Sequence, residues 1–441
     1  MALTEKVSAL DADPDPQYYF DAIETIRASL ATDPKRTLAN APAILGHKPT
    51  VEEALRLLKQ AQDALEAPVS AMATLVANLG GEGESVALPM RCRSTGEPVE
   101  INPYNRQFEE SDWAAWAVTA VEAFFARQFG SKPDFLLHGS NDAYRYPLVE
   151  NAGVASAALF SDWGTGLYHS QLIACDIAAR GPGQAVHLGD VYYTGRASEF
   201  RDRCVAMLQQ GMLQRMPVYS LNANHEMDTN GVAYFKFLDW KLKLPQPDYA
   251  TQRQQASYFC LHNQNYQIIG IDTAYSRNGR LAADTYTWLT HQLQHGRIEG
   301  KINILLSQNE PYDRLDESER DLLGTDLGAL RGKIDLWFWG DEHYAALWGP
   351  RGGVPFFGSC IGHGGFPYER LSQRCDFMTP LADLIWCGTG FRMEARRDRG
   401  NNGYVWLDMK PDELTLIYID WRGHVVDTRT FAVASGKLRM T

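Results

Sequence analysis

"DLWFWGDEHYAALW", residues 335–348, sets an apolar run directly against a charged cluster. Leu336 to Trp339 are apolar, Gly340 stops the run, and Asp341, Glu342 and His343 follow at once. A short, continuous apolar run closed by glycine reads as a strand buried on both faces. Open α/β sheets gather their chemistry beyond the carboxyl ends of such strands.

The same arrangement recurs upstream. "VASAALF" leads to Asp162, and "QAVHLGD" ends in Asp190 with Tyr193 beyond it. "MPVYSLNANHE" closes on Asn224 and His225, and "KINILLSQNEPY" on Gln308 and Asn309. Helical segments lie between the runs: "LYHSQLIACDIAAR", "EFRDRCVAMLQQGML" and "DTYTWLTHQLQHG". Strands alternating with helices predict an α/β sheet with crossover connections. The last ninety or so residues carry "GYVWLDM", "ELTLIYIDW" and "VVDTRTFAV", which read as antiparallel strands extending a sheet.

The chain divides by character near residue 150. Residues 1–150 predict a mainly helical region of unassigned chemistry, with 151–441 as the α/β domain. Helices are expected over "PQYYFDAIETIRASL", over "VEEALRLLKQAQDALEA" with a capping box from Thr50 and Glu53, and over "ESDWAAWAVTAVEAFFARQFG", capped by Ser111 and ended by Gly130.

A net charge of −12 over 441 residues argues against broad nucleic-acid or anionic-membrane binding. It leaves room for a small phosphorylated substrate, because a metal can supply local positive charge. A protein partner engaged through residues 1–150 is a further expectation. The seven cysteines form no CxxC pair and are read as reduced and mostly buried, which suits a cytoplasmic protein. The first residues lack the basic and apolar regions of a signal peptide, and no apolar run reaches the length of a membrane span.

A carboxylate after one strand is usually a helix cap, and a lone histidine there is usually structural. Five such clusters in succession point to one shared site. Carboxylates, an amide, a phenol and imidazoles around one point suit divalent and trivalent metals, and a bridging carboxylate can hold two. There is no GxxxxGK[ST] loop and no GxSxG elbow.

"FSDWGTG", "HLGDVYYTG", "NANHE" and "GDEH", in that order, resemble the calcineurin-like metallophosphoesterases, and most of all the purple-acid-phosphatase-like branch. The resemblance covers roughly residues 155 to 430. It implies a four-layer α/β/β/α sandwich and a binuclear hydrolase in which a metal-held hydroxide attacks a phosphate ester. It carries Asp162, bridging Asp190, Tyr193 and His343 to the first metal, where a tyrosine phenolate favours iron. Gly164, where many members have a histidine, agrees with a tyrosine filling that vacancy. Asn224 passes to the second metal, and His225 to the acid that protonates the leaving oxygen.

Two positions depart from the pattern. Gln308 and Asp341 stand where histidine ligands are expected. Three outcomes stay open. Both can coordinate through oxygen, giving an Asp190, Asn224, Gln308 and Asp341 site for manganese, magnesium, zinc or iron, with all-oxygen ligation leaning away from zinc. The second metal can be weak or lost, leaving a non-hydrolytic binding module. The pocket can serve other chemistry, as an iron-dependent oxidase. Glu310 is a stand-in ligand to consider, His363 in "GSCIGHGGFPYE" a rim residue, Arg396, Arg397 and Arg399 a phosphate clamp, and His187 a packed strand residue.

Overall fold

The computed structural model describes residues 131–441 apart from 210, 244–252, 277–278, 283–284, 314–317, 368–382 and 389–400, together with 50–66, 90–99 and parts of 23–34 and 101–130. Two large sheets form the body of the α/β domain. One runs, in spatial order, Lys437–Met440, Val425–Ala434, Glu413–Asp420, Gly403–Met409, Val154–Phe160, Gln184–His187 and Val218–Ser220. The other runs Leu384–Cys387, Ala345–Trp348, Phe357–Ile361, Leu336–Trp339, Ile302–Ser307, Tyr266–Gly270, Phe259–His262 and Arg145–Pro147.

Period-two alternation explains why these runs look uniformly apolar. In Val154–Phe160, Ala155, Ala157 and Leu159 face the second sheet, while Ala158 and Phe160 face the helical layer behind. In Leu336–Trp339, Leu336 and Phe338 join the inter-sheet core, and Trp337 and Trp339 the opposite layer. Both faces are covered, so both carry apolar side chains, each fully buried one contributing roughly 1.5–3 kcal/mol. Helix Tyr168–Arg180 buries Leu172, Ile173 and Ile177 behind the first sheet. Helix Thr285–Ile298 buries Trp288, Leu289 and Leu293 behind the second. The result is the expected four-layer α/β/β/α sandwich.

The strands that lead to polar clusters are the parallel ones. Val154–Phe160, Gln184–His187 and Val218–Ser220 run parallel in the first sheet, and Ile302–Ser307 and Leu336–Trp339 in the second. The three C-terminal strands pair antiparallel, as expected.

Helix Val51–Glu66 forms, and Thr50 Oγ1 accepts the Glu53 N–H at 3.1 Å, one half of the predicted capping box. The region before 150 is not helical throughout, however. Met90–Arg91 pairs with Pro98–Val99, and Arg145–Pro147 is an edge strand of the second sheet. The Ser111 cap, most of the third expected helix and the Arg396–Arg397–Arg399 cluster lie outside the described residues.

The reading of seven reduced cysteines is corrected. Cys92 and Cys175 form a disulfide across 83 residues, and Cys387 is also disulfide-bonded. Cys204, Cys260 and Cys360 are buried and carry no disulfide. Spacing alone could not reveal a pair so distant, and the cysteines no longer argue for a cytoplasmic setting. No described helix is long and apolar enough to cross a membrane.

Candidate metal centre

Three strand ends deliver three carboxylates in an unusual backbone state. Asp162, Asp190 and Asp341 have φ of 55°, 74° and 64°. The left-handed region costs an L-residue of order 1–2 kcal/mol, and such residues gather where the surrounding structure imposes a functional geometry. Here the loops impose it on one another. Asp162 N–H donates to Gly189 O, Gly164 N–H to Asp190 O and Tyr192 N–H to Gly164 O, each at 3.0 Å. Asp341 N–H reaches across to Asp162 Oδ2 at 3.1 Å.

Two glycines make this approach possible. A Cβ on Gly340 would lie 2.7 Å from Asp162 Oδ2, and one on Gly362 would lie 2.9 Å from the same oxygen. The glycine-rich turn after residue 361 therefore packs behind Asp162.

The side chains converge. His343 Nε2 is 3.4 Å from Asp162 Oδ1. Asp162, Asp190 and His343 each offer a ligand atom, all within 4.8 Å of one another. A phenol completes the group, and it belongs to Tyr192. Its hydroxyl lies 3.0 Å from Asp162 Oδ1, Asp190 Oδ2 and His343 Nε2 alike. The expected Tyr193 is turned away: its hydroxyl accepts the Phe108 N–H at 3.2 Å, and its ring packs on Phe108. The two residues share a turn, and only the Tyr192 hydroxyl reaches the cluster.

The remaining predicted residues are distributed unevenly. Asn224 opens a short helix and is exposed. His225 is half-buried, packs on Tyr192 and donates Nδ1–H to Tyr193 O at 2.5 Å. Gln308 is buried, and its Nε2 donates to Asp341 Oδ1 at 3.3 Å, while Asn309 Nδ2 lies 3.4 Å from Oδ2. Glu310 faces Arg320 at 2.8 Å. His363 is buried, with its carbonyl accepting the Gly403 N–H at 2.8 Å, and burial pulls its imidazole down to about 4. His187 stacks on Phe160 inside the core, as a packed strand residue should.

Glu226 was read only as the last letter of "NANHE". It is fully buried, and its Oε2 accepts the Asp190 N–H at 3.3 Å. A carboxylate one residue past the candidate acid, at a strand end, was the available signal.

So many buried acids repel one another. Burial, and then the charges of Asp162 and Glu226, push Asp190 well above the usual carboxylate range. Burial chiefly raises Glu226 to about 8. Burial and the Asp162 charge raise Asp341. Burial opposes ionisation of Asp162 too, but hydrogen bonding and charge from His343 bring it below the ordinary value. Burial and the two aspartates hold the Tyr192 hydroxyl well above its usual range.

The donor set fits a cation. Asp190 Oδ1, Glu226 Oε1 and Gln308 Oε1 are buried with no hydrogen-bond partner. Orphaned buried acceptors are rare in native proteins, and an ion is one of the few species that satisfies several at once. Asp162, Asp190, Tyr192 and His343 would hold one ion, and Asp190, Gln308 and Asp341 lie where a second could sit.

Residues 155–345 match the model of the calcineurin-like phosphoesterase family. This segment is a calcineurin-like phosphoesterase domain. The similar solved structures include purple acid phosphatase PPD1 from yellow lupin seeds, at 15% identity over 65% of this chain and 54% of that one, TM-score 0.46. They also include GAP50, the anchor in the inner membrane complex of Plasmodium, at 12% over 65% and 89%, TM-score 0.48. PhoD is similar at 11% over 67% and 73%, TM-score 0.43. The matched part spans about half the length of the lupin protein. No curated protein sequence matches the chain. The phosphoesterase domain ends its family match at residue 345, two residues past His343, so all the converging side chains fall within it.

Proposed function

We propose that this chain is a metal-dependent hydrolase of small phosphate esters. The observation that carries the reading is the buried meeting of Asp162, Asp190, Tyr192 and His343 within a phosphoesterase domain, beside acceptors with no partner. Bound metal would supply positive charge for the phosphoryl oxygens and an acidified water as nucleophile.

The chain's own residues do the rest. Asp190 would hold metal through its carboxylate, with its backbone N–H held by Glu226. Tyr192 and His343 fix one side of the centre, iron being the metal that a phenolate favours. His225 stands at the half-open edge, where a leaving group would depart. Its Nδ1–H is committed to Tyr193 O, so proton donation falls to Nε2 of the imidazolium. Gln308 and Asp341, which contact each other, would supply an oxygen-rich second half suited to manganese or magnesium, with Asn224 a further ligand on the family pattern.

The test is metal analysis with turnover. The purified chain, loaded in turn with Fe, Mn, Zn and Mg, is expected to retain metal and hydrolyse p-nitrophenyl phosphate, with Asp190→Asn losing both. An iron-loaded sample should show a visible phenolate band that Tyr192→Phe abolishes and Tyr193→Phe keeps. No retained metal and no turnover with any of the four overturns the reading.

A further inference from the structure

Phe108 comes from the region before the phosphoesterase domain, yet it lies against the candidate metal centre. It is 1% exposed and has φ of 71°, a backbone state that a bulky aromatic residue rarely adopts. Such strain persists only where surrounding contacts impose it. The contacts are on record: its N–H donates to the Tyr193 hydroxyl, its ring lies 4.6 Å from that of Tyr193 and edge-on to Tyr192 at 5.9 Å, and Arg203 covers it at 5.2 Å.

Tyr192 is the residue that needs holding. Its hydroxyl meets three candidate ligands, so a small rotation of its ring would disperse them. Its backbone is fixed from below: Arg203 donates to Tyr192 O, and the buried Glu199 carboxylate accepts the N–H groups of Tyr193 and Thr194. Its ring is walled by Phe366 at 4.9 Å, His225 at 4.4 Å and Phe108. Phe366 in turn stacks on His343 at 3.9 Å. Among the described residues, Phe108 is the member of this wall supplied from outside residues 155–441.

The preceding chain is anchored to the same place by a second contact. The Cys92–Cys175 disulfide ties the Met90–Val99 hairpin to helix Tyr168–Arg180, which begins six residues after Asp162. Arg93 adds an ion pair to Asp176 at 2.5 Å.

We propose that Phe108 is a positioning residue for the metal centre, acting through Tyr192, so that the chain before residue 150 completes the phosphoesterase site. This rests on the metal-centre reading above. Phe108 offers no ligand atom itself; it limits where the Tyr192 ring can go.

The experiment titrates Mn2+ into the full chain by calorimetry and measures p-nitrophenyl phosphate hydrolysis alongside. Phe108→Ala is expected to weaken Mn2+ binding about tenfold. Phe108→Leu keeps apolar bulk without the ring, stays folded if the alanine variant does not, and is expected to weaken it about threefold. Leu289→Ala, in the core behind the opposite sheet, should lower the melting temperature and leave Mn2+ affinity unchanged. If the Phe108 variants bind Mn2+ as the parent does, or if Leu289→Ala loosens it equally, the inference falls and the hydrolase reading stands. If they loosen Mn2+ but the parent hydrolyses nothing, the inference stands and the hydrolase reading falls. A parent that binds no Mn2+ overturns the inference and leaves the hydrolase reading to its own four-metal test.

Discussion

Replacing Glu226 with glutamine tests the electrostatics of the centre directly. In the metal-free protein Glu226 is buried, one of its oxygens has no partner, and its carboxyl is raised from 4.5 to about 8. The unfolded chain ionises near 4.5, so from there to about 8 the folded state holds the extra proton. Folding stability therefore falls as pH rises through that window and is flat beyond it. At pH 7 the cost is the 2.5-unit interval above 4.5 at about 1.4 kcal/mol per unit, or roughly 3 kcal/mol. Glutamine keeps an oxygen for the Asp190 N–H and removes the titration. In chelator, Glu226→Gln should match the parent near pH 4 and exceed it by roughly 3 kcal/mol at pH 7 in urea unfolding. With saturating metal the order should reverse, because the ion now compensates the carboxylate and the amide weakens its binding. If the chelated variant shows the parent's pH slope, or is the less stable at pH 8, the account of Glu226 as an acid held protonated by its burial is wrong.

Two further outcomes follow from other residues. Gln308→His with Asp341→His should raise zinc-dependent phosphatase activity at least tenfold over the parent; equal activity would mean these are not the altered ligand positions. Lys241 is buried, donating to Val218 O at 3.0 Å and Gln254 Oε1 at 3.3 Å, and burial pulls its ammonium from 10.5 to about 7. The unfolded chain holds the extra proton between those values, so stability should rise with pH from about 7 to 10.5. Lys241→Met should erase that slope and stabilise at pH 7 by roughly 3 kcal/mol, the burial cost less two hydrogen bonds, as measured by urea unfolding from pH 6 to 9.

Much of the fold was legible because its strands are buried on two faces. "VASAALF", "QAVH", "INILLS" and "LWFW" are mostly apolar, and each ends within one to three residues of a candidate site residue. Asp162, Asp190 and His343 were legible as candidates because polar clusters follow five such runs in succession, although any one of them alone reads as a helix cap or a structural residue. Contacts that depend on rotation or on distant chain were not legible. Tyr192 and Tyr193 are the same residue type, and what distinguishes them is their distant partners: the Tyr192 hydroxyl meets Asp162, Asp190 and His343, the Tyr193 hydroxyl the Phe108 N–H. Cys92 lies 83 residues from its partner, and Phe108 is 85 residues from the hydroxyl it binds. Nothing local marks either.

The second half of the centre is where sequence and geometry constrain each other most. Exchanging two neutral imidazoles for an amide and a carboxylate adds one negative charge to a site that already holds Asp162, Asp190 and Glu226. Burial first, and then the neighbouring charges, raise Asp190, Glu226 and the half-buried Asp341, while His343 brings Asp162 below the ordinary value. One trivalent ion balances three of them and leaves a proton behind; two ions balance all four. Asp341 now spends its oxygens on long amide contacts of 3.3 and 3.4 Å, which are weak enough for a cation to displace. A rotation of the Gln308 amide would turn its unpartnered Oε1 to the same ion. The added carboxylate thus makes a second cation more favourable than histidine would, while making an anionic ester less welcome until that cation has bound. Metal loading and substrate binding are therefore expected to be more tightly coupled here than in a centre with histidine at both positions.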